Sequence, residues 1–290
     1  MHFLRRWSAA VAAPVFFFGA HAPHAWAQMP HNWQIGLQAA HSPVKAEIDS
    51  LNTLVLVIIT VITAFVAGLM AYTVWRFHHS RNLTPSRTSH NTVIEIAWTV
   101  VPVLILVIIA IPSFRLVYYE DRATDADMTL KVTGHQWYWE YTYPDKGNID
   151  FSSYLVPDDQ LKPGQPRLLT ADNQLVLPAG KTIRILTTSA DVIHSFFIPS
   201  LGVQRYAIPG RTIETWVKID EPGDYYGQCN QICGTNHDSM PISVHAVSPA
   251  EFDTWLAQAK TKFAGGAAAA PAAPIALAQA TPAAVAAVQH

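Results

Sequence analysis

Two cysteines, a histidine and a methionine fall within twelve residues of this chain: Cys229-Asn230-Gln231-Ile232-Cys233, then His237 and Met240, a C-x3-C-x3-H-x2-M pattern. Thiolate, imidazole and thioether are soft to borderline ligands, a set that suits copper better than hard cations. A second imidazole has to come from elsewhere. His194, in Asp191-Val192-Ile193-His194-Ser195-Phe196, is the best candidate, because it ends an apolar strand and begins a turn at Pro199. One thiolate with two histidines and a methionine makes a mononuclear blue-copper site. Two thiolates four apart can instead bridge two metals, each completed by one His and one weaker ligand. Such a cluster spreads an unpaired electron and keeps its geometry between oxidation states, which suits electron transfer. The rival reading is a disulfide, the common state of paired cysteines in an exported chain. It accounts for the cysteines but leaves His237 and Met240 unexplained. Zinc is disfavoured because structural zinc sites rarely use methionine.

Short strands must position these ligands. From residue 128 to 143 (MTLKVTGHQWYWEYTY) apolar and aromatic side chains alternate, and 174–177, 181–188, 212–219 and 241–247 repeat the pattern. Pro-Gly punctuation at 163–164, 209–210 and 222–223, with Pro178-Ala179-Gly180, separates them. Many strands with turns and no long helical period predict a β-sandwich or Greek-key barrel. Residues 248–262 open with a Ser cap and an early Pro and carry Phe252, Trp255 and Leu256, which predicts a closing helix. The Ala/Pro-rich tail 264–290 is expected to be disordered.

Ahead of the strands lie two segments long enough to cross a bilayer. Residues 51–74 and 96–114 carry no charge, against roughly 20 residues for a spanning helix. This gives helices at about 51–75 and 94–116 in a hairpin domain of residues 28–118. Between them, 76–90 carries Arg76, Arg81 and Arg87 and no acid, so that loop is cytoplasmic by the positive-inside rule and both flanks lie outside. Residues 1–27 read as a signal peptide, with Arg5 and Arg6, a short apolar run and Ala25-Trp26-Ala27. Charged residues make up only 14% of the 290, where soluble proteins average about 25%, so much of the chain has no water to face. The part after Tyr118 holds eighteen Asp/Glu against twelve Lys/Arg up to Phe263. An acidic outer domain excludes nucleic acid and suits a basic protein partner.

Gly227-Gln228-Cys229, Cys233-Gly234, His237 and Met240-Pro241-Ile242, together with Asp191 to Phe196, resemble subunit II of cytochrome c oxidase. So do Gly134-His135-Gln136-Trp137-Tyr138-Trp139 and Ser200-Leu201-Gly202 through Ala207-Ile208-Pro209-Gly210-Arg211. The resemblance runs from about residue 48 to 256. It implies two transmembrane helices followed by a cupredoxin-like Greek-key β-barrel over 119–263, carrying the binuclear CuA centre. Cys229 and Cys233 would bridge two copper ions, His194 and His237 would bind one each, and Met240 and the backbone carbonyl of Gln231 would be the weak ligands. Position 231 departs from the family pattern, which has Glu there and uses its side chain to help hold magnesium at the subunit I interface. A Gln amide is a neutral, weaker ligand for a hard cation, which counts against magnesium in this chain.

The resemblance also implies roles for other residues. Trp137 would be the surface tryptophan where electrons arrive, while Trp139 reads as core. Asp172 and Asp191, with Glu140, Asp158 and Asp159 adding, would steer cytochrome c. Glu95, at the cytoplasmic end of the second span, would stand at a proton-channel mouth; read alone it is an acid favoured by a helix N-terminus. His135 and His245 lack the copper pattern and read as structural. The implied assembly is an aa3-type respiratory oxidase in a bacterial inner membrane, with the copper domain in the periplasm. This subunit passes electrons from cytochrome c to the haem of subunit I, where oxygen is reduced to water and protons are pumped. Three rivals fit less well. A quinol oxidase subunit II would lack the copper ligands. A thioredoxin-like copper chaperone would need β-α-β alternation after the cysteines, and a nitrous oxide reductase would need a further catalytic domain.

Overall fold

The structure, a computed structural model, describes residues 29–123 and 125–264. The expected signal peptide and all but the first residue of the expected tail lie outside them. Two long helices come first, α1 (Pro43–Arg76) and α2 (Thr92–Asp121). Ser42 caps α1 by accepting the Lys45 N–H at 3.0 Å, with Pro43 in the first turn where its missing N–H costs nothing. Asn91 caps α2 in the same way through Ile94 N–H. Both helices overrun the apolar segments. At about 1.5 Å per residue, each exceeds the roughly 30 Å hydrocarbon layer. Most of the extra length, 43–50 of α1 and 115–121 of α2, stands on the side of the strands and docks there, which hydropathy alone cannot foresee. The apolar stretches themselves stay exposed along their length, with Val61, Phe65, Val93 and Leu106 among the bare side chains. Such surfaces are stable only against lipid or other apolar helices.

Ten strands follow: β1 (Met128–His135), β2 (Tyr138–Tyr143), β3 (Ile149–Ser153), β4 (Leu175–Pro178), β5 (Thr182–Ser189), β6 (His194–Ile198), β7 (Val203–Ala207), β8 (Ile213–Lys218), β9 (Gly223–Cys229) and β10 (Pro241–Val247). They form two sheets, β3-β2-β1-β5-β8 and β4-β10-β9-β6-β7. The β1–β5 and β4–β10 pairs are parallel and the rest antiparallel. This is the sandwich form of a cupredoxin-like fold. Alternation sends Leu130 and Val132 of β1 and Trp139, Tyr141 and Tyr143 of β2 inward, all at 0% exposure. Phe196 of β6 meets Trp139 and Tyr141 edge-on. A closing helix α3 (Pro249–Lys262) starts with a capping box of Ser248 and Glu251 and lays Phe252 and Leu256 on the same core.

Some strand boundaries differ from the sequence expectation. The aromatic run 128–143 is a hairpin broken at Gln136-Trp137, not one strand. His194 opens β6 instead of closing a strand, because Asp191 turns the chain just before it. β3, β7 and β9 carry too little alternation to stand out in sequence.

Candidate metal centre

The end of β9, the loop after it and the start of β6 meet at one end of the sandwich. Cys229 ends β9, the 230–240 loop brings Cys233, His237 and Met240 back to β10, and His194 opens β6 beside them. The register enforces this, since Phe196, two residues past His194, sits opposite Cys229. Cys229 N–H donates to the Met240 carbonyl at 3.1 Å and closes the loop at its base. Cys229 and Cys233 are free thiols, both buried, with sulfurs 4.0 Å apart, so the disulfide reading does not describe the chain. The ligand atoms of His194, Cys229 and Cys233 lie within 4.8 Å of one another. That is close to the widest separation of donors held at about 2.0–2.3 Å around one ion. His237 Nδ1 is 3.5 Å and Met240 Sδ 3.6 Å from Cys233 Sγ, and the Gln231 carbonyl is 3.3 Å from Cys229 Sγ.

His194 carries the test of fit. Its side chain is fully buried, its Nε2 bonds Asp191 Oδ1 at 2.8 Å, and its Nδ1 has no partner. A buried ring nitrogen without a hydrogen bond is costly. With the Nε2 proton given to Asp191, Nδ1 keeps a lone pair beside the two sulfurs. A metal-ligating histidine is built this way, its second nitrogen fixed by a carboxylate. The donor set and the bare nitrogen fit a soft metal.

Charge is arranged to match. Burial raises the Cys229 thiol, but the His194 imidazole and the Ser195 backbone N–H outweigh it and hold the group below the ordinary thiol range. Burial and the Cys229 charge beside it push Cys233 upward. Burial opposes a charge on His194, yet Cys229 and Asp191 raise its pKa. Burial acts against the Asp191 carboxylate too, and the bonds from His194, Val192 and Gln136 overcome it.

Residues 128–247 match the model of the cytochrome c oxidase subunit II periplasmic domain, and residues 30–116 match that of its transmembrane domain. The chain belongs to the cytochrome c oxidase subunit II family. A probable cytochrome c oxidase subunit 2 of Rickettsia bellii is 46% identical over 83% of this chain and 90% of its own length. Cytochrome c oxidase subunit 2 of Arabidopsis thaliana is 44% identical over 77% and 88%. The crystal structure of the periplasmic domain of subunit II of cytochrome oxidase of Bradyrhizobium japonicum is 48% identical, covering 49% of this chain and 99% of that one, with a TM-score of 0.46. In the terms of this family, the chain is a two-pass membrane subunit of a haem-copper oxidase complex.

The other candidate residues scatter around this subunit II centre. Trp137 is half-buried, and its Nε1 donates to the Cys233 carbonyl at 3.3 Å, whereas Trp139 is core and donates to the Met240 carbonyl at 3.4 Å. Asp191, expected to face a partner, spends its oxygens on His194, Gln136 N–H and Val192 N–H. Glu140 lies 3.3 Å from His135, and Asp158 bonds Arg167 at 2.7 Å. Asp172 accepts two backbone N–H groups and, among the described residues, has no cationic partner. Glu95 sits in the first turn of α2, remote in sequence and fold from the sulfurs. His245 pairs with Asp224 at 2.7 Å.

Sequence reasoning gave no role to the second layer. Gln136 Nε2 donates to the Cys233 carbonyl at 2.8 Å while its N–H holds Asp191. A Cβ at Gly134 would lie 2.8 Å from His194 Cδ2, so only glycine leaves the ring its place. At Gly234 a Cβ would strike Trp137 at 2.8 Å, and its φ of +129° already favours glycine. These glycines appear in sequence only as motif letters; their partners are set by strand pairing.

Proposed function

We propose that this chain is the electron-accepting subunit of an aa3-type cytochrome c oxidase, taking electrons from cytochrome c and passing them to the haem of subunit I. The observation that carries the reading is the buried cluster of two free thiols with the unpartnered Nδ1 of His194. Two copper ions bound there would supply a one-electron couple. Cys229, Cys233, His194, His237, Met240 and the Gln231 carbonyl would hold them. The loop closed by Cys229 N–H and the Asp191–His194–Gln136 network hold these donors in place. Preset donors favour fast transfer because little has to move when an electron does.

Trp137 is the proposed point of electron arrival, supported by its partial exposure and its single hydrogen bond to the Cys233 peptide. Asp172 is the foremost proposed docking acid for a basic cytochrome c, with Glu140, Asp158 and Asp191 contributing less because each is already engaged. Glu95 is proposed as a proton-uptake group on the far side of the membrane. Gln231 offers a neutral amide, so the proposed cofactor set is copper alone. The proposed setting is a bacterial inner membrane with the sandwich in the periplasm.

The deciding experiment loads the full chain with copper in detergent and measures copper per chain and the electron paramagnetic resonance spectrum. Two coppers sharing one unpaired electron are expected; one copper per chain, or an electron confined to one nucleus, refutes the reading. Trp137→Phe should then leave that spectrum unchanged and slow reduction by cytochrome c in the assembled oxidase. An unaltered rate removes Trp137 from the path.

A further inference from the structure

The sandwich is held to the membrane hairpin by more than the peptide link that follows α2. Three side chains reach back to the helix's last turn. Arg205 Nη2 donates to the Glu120 carbonyl at 3.1 Å and lies 3.4 Å from the Asp121 carboxylate. Thr215 Oγ1 donates to the same carbonyl at 3.0 Å. Trp216 Nε1 donates to the Tyr119 carbonyl at 2.7 Å, with the two rings edge-on at 5.1 Å. Such carbonyls have no partner within a helix, and α2 has no basic residue in its own last turn to serve them.

Arg205 also binds its own domain, its Nε donating to the Glu214 carbonyl at 3.2 Å. Arg205 lies on β7 and Glu214 on β8, which belong to different sheets. One guanidinium therefore joins both sheets to the membrane helix. The register carries this attachment to the metal centre: Arg205 sits opposite Phe196 on β6, and Phe196 opposite Cys229 on β9. Two ladder steps, about 10 Å at just under 5 Å each, separate the backbone of Arg205 from that of Cys229.

A second attachment holds the other helix. Ser42 Oγ donates to the Leu201 carbonyl at 2.7 Å, and Gly202 lets Lys45 come so close that a Cβ would lie 3.0 Å from its backbone. Two points of attachment fix a rigid body's tilt, whereas one leaves a pivot. We propose that Arg205, Thr215 and Trp216 are positioning residues that set the height and tilt of the metal centre over the membrane, and through them the rate at which an electron leaves it for the haem of subunit I. The inference rests on the electron-transfer reading above.

The test uses the assembled oxidase with Arg205→Ala, Arg205→Lys, Thr215→Val and Trp216→Phe. The last two each remove one donor and keep the shape, so they stand in if Arg205→Ala fails to assemble. Photo-reduction through cytochrome c separates the rate at which the copper centre is reduced from the rate at which the haem follows. Expected is an unchanged copper spectrum and first step, with the second slowed about five-fold or more, inside the roughly 10²-fold that an ångström of misplacement can cost. Arg205→Lys should recover part of the loss. Hydrogen exchange on the metal-free chain should rise in β7 and the last turn of α2 but not at Cys229. A purely stabilising role would lower the yield of oxidase and leave both rates per assembled enzyme alone, which overturns the proposal. An altered copper spectrum or a slowed first step also overturns it, by placing the effect at the ligands. A wild-type chain without the shared-electron spectrum instead overturns the reading beneath it.

Discussion

Gly134→Ala tests whether the space beside His194 is what keeps the imidazole aimed at the sulfurs. Gly134 is buried on β1, and its φ is not in the left-handed region, so alanine fits the backbone. The added methyl would lie 2.8 Å from Cδ2, 3.0 Å from Cγ and 3.2 Å from Cβ of His194. Carbon atoms in contact need about 3.5–4.0 Å, so the ring must retreat by roughly 0.7 Å or more. It cannot do so freely. Nε2 is tied to Asp191 at 2.8 Å, and Asp191 is tied in turn to Gln136 N–H at 2.6 Å. Retreat stretches the Nε2 bond to about 3.5 Å, the limit of a useful hydrogen bond, and carries Nδ1 off its line.

Overpacking of this kind costs about 1–3 kcal/mol of stability. Loss of a histidine's orienting partner costs about 10–100-fold in metal affinity. Gly134→Ala should therefore remain folded and lose copper affinity by about that factor, as read by competition with a chelator of known affinity on the full chain in detergent. The shared-electron spectrum should weaken in step with occupancy. Affinity within about two-fold of the parent, in a chain of unchanged melting temperature, would refute the argument. It would mean the ring is not pinned by Asp191 or that His194 is not a ligand.

Two further outcomes follow from the charges. Asp172 is exposed and unpaired among the described residues, while Asp158 is offset by Arg167. Asp172→Asn should slow reduction by a basic cytochrome c several-fold at low salt and flatten its salt dependence, and Asp158→Asn should do much less. An equal or larger effect of Asp158→Asn on the salt slope sinks that assignment. Glu95→Gln should slow proton uptake by the assembled oxidase several-fold with the copper spectrum untouched; unchanged uptake returns Glu95 to the role of a helix-terminus acid.

The proposed ligands stand out in the sequence because four soft donors in twelve residues have few other uses. The fold class was legible for a similar reason, as period-two alternation over 128–143 and 181–188 is visible without partners. What stayed hidden depends on contacts distant in the chain. Gln136 meets the Cys233 carbonyl 97 residues away, and the Asp191 carboxylate 55 residues away. Asp191 shows a second use beside the expected one: it stands at the surface, and the turn before β6 also brings its carboxylate to His194 Nε2, three residues on. Helix ends were hidden because hydropathy follows the lipid and stops where water begins, whereas α1 and α2 continue until Ser42 and the Arg205–Thr215–Trp216 group satisfy their terminal groups.

That division bears on how the subunit is built. The proposed copper donors lie on one short loop and one strand start, where local sequence sets their spacing. The residues that aim them, Gly134, Gln136 and Asp191, come from the β1–β2 break and the β5–β6 turn, and their effect exists only once both sheets have formed. Ligand spacing can thus be present in a chain that still binds copper poorly. The aim of the imidazole depends on the folded sandwich through Asp191, which takes His194 Nε2 from three residues away and is itself held by Gln136 N–H from the β1–β2 break.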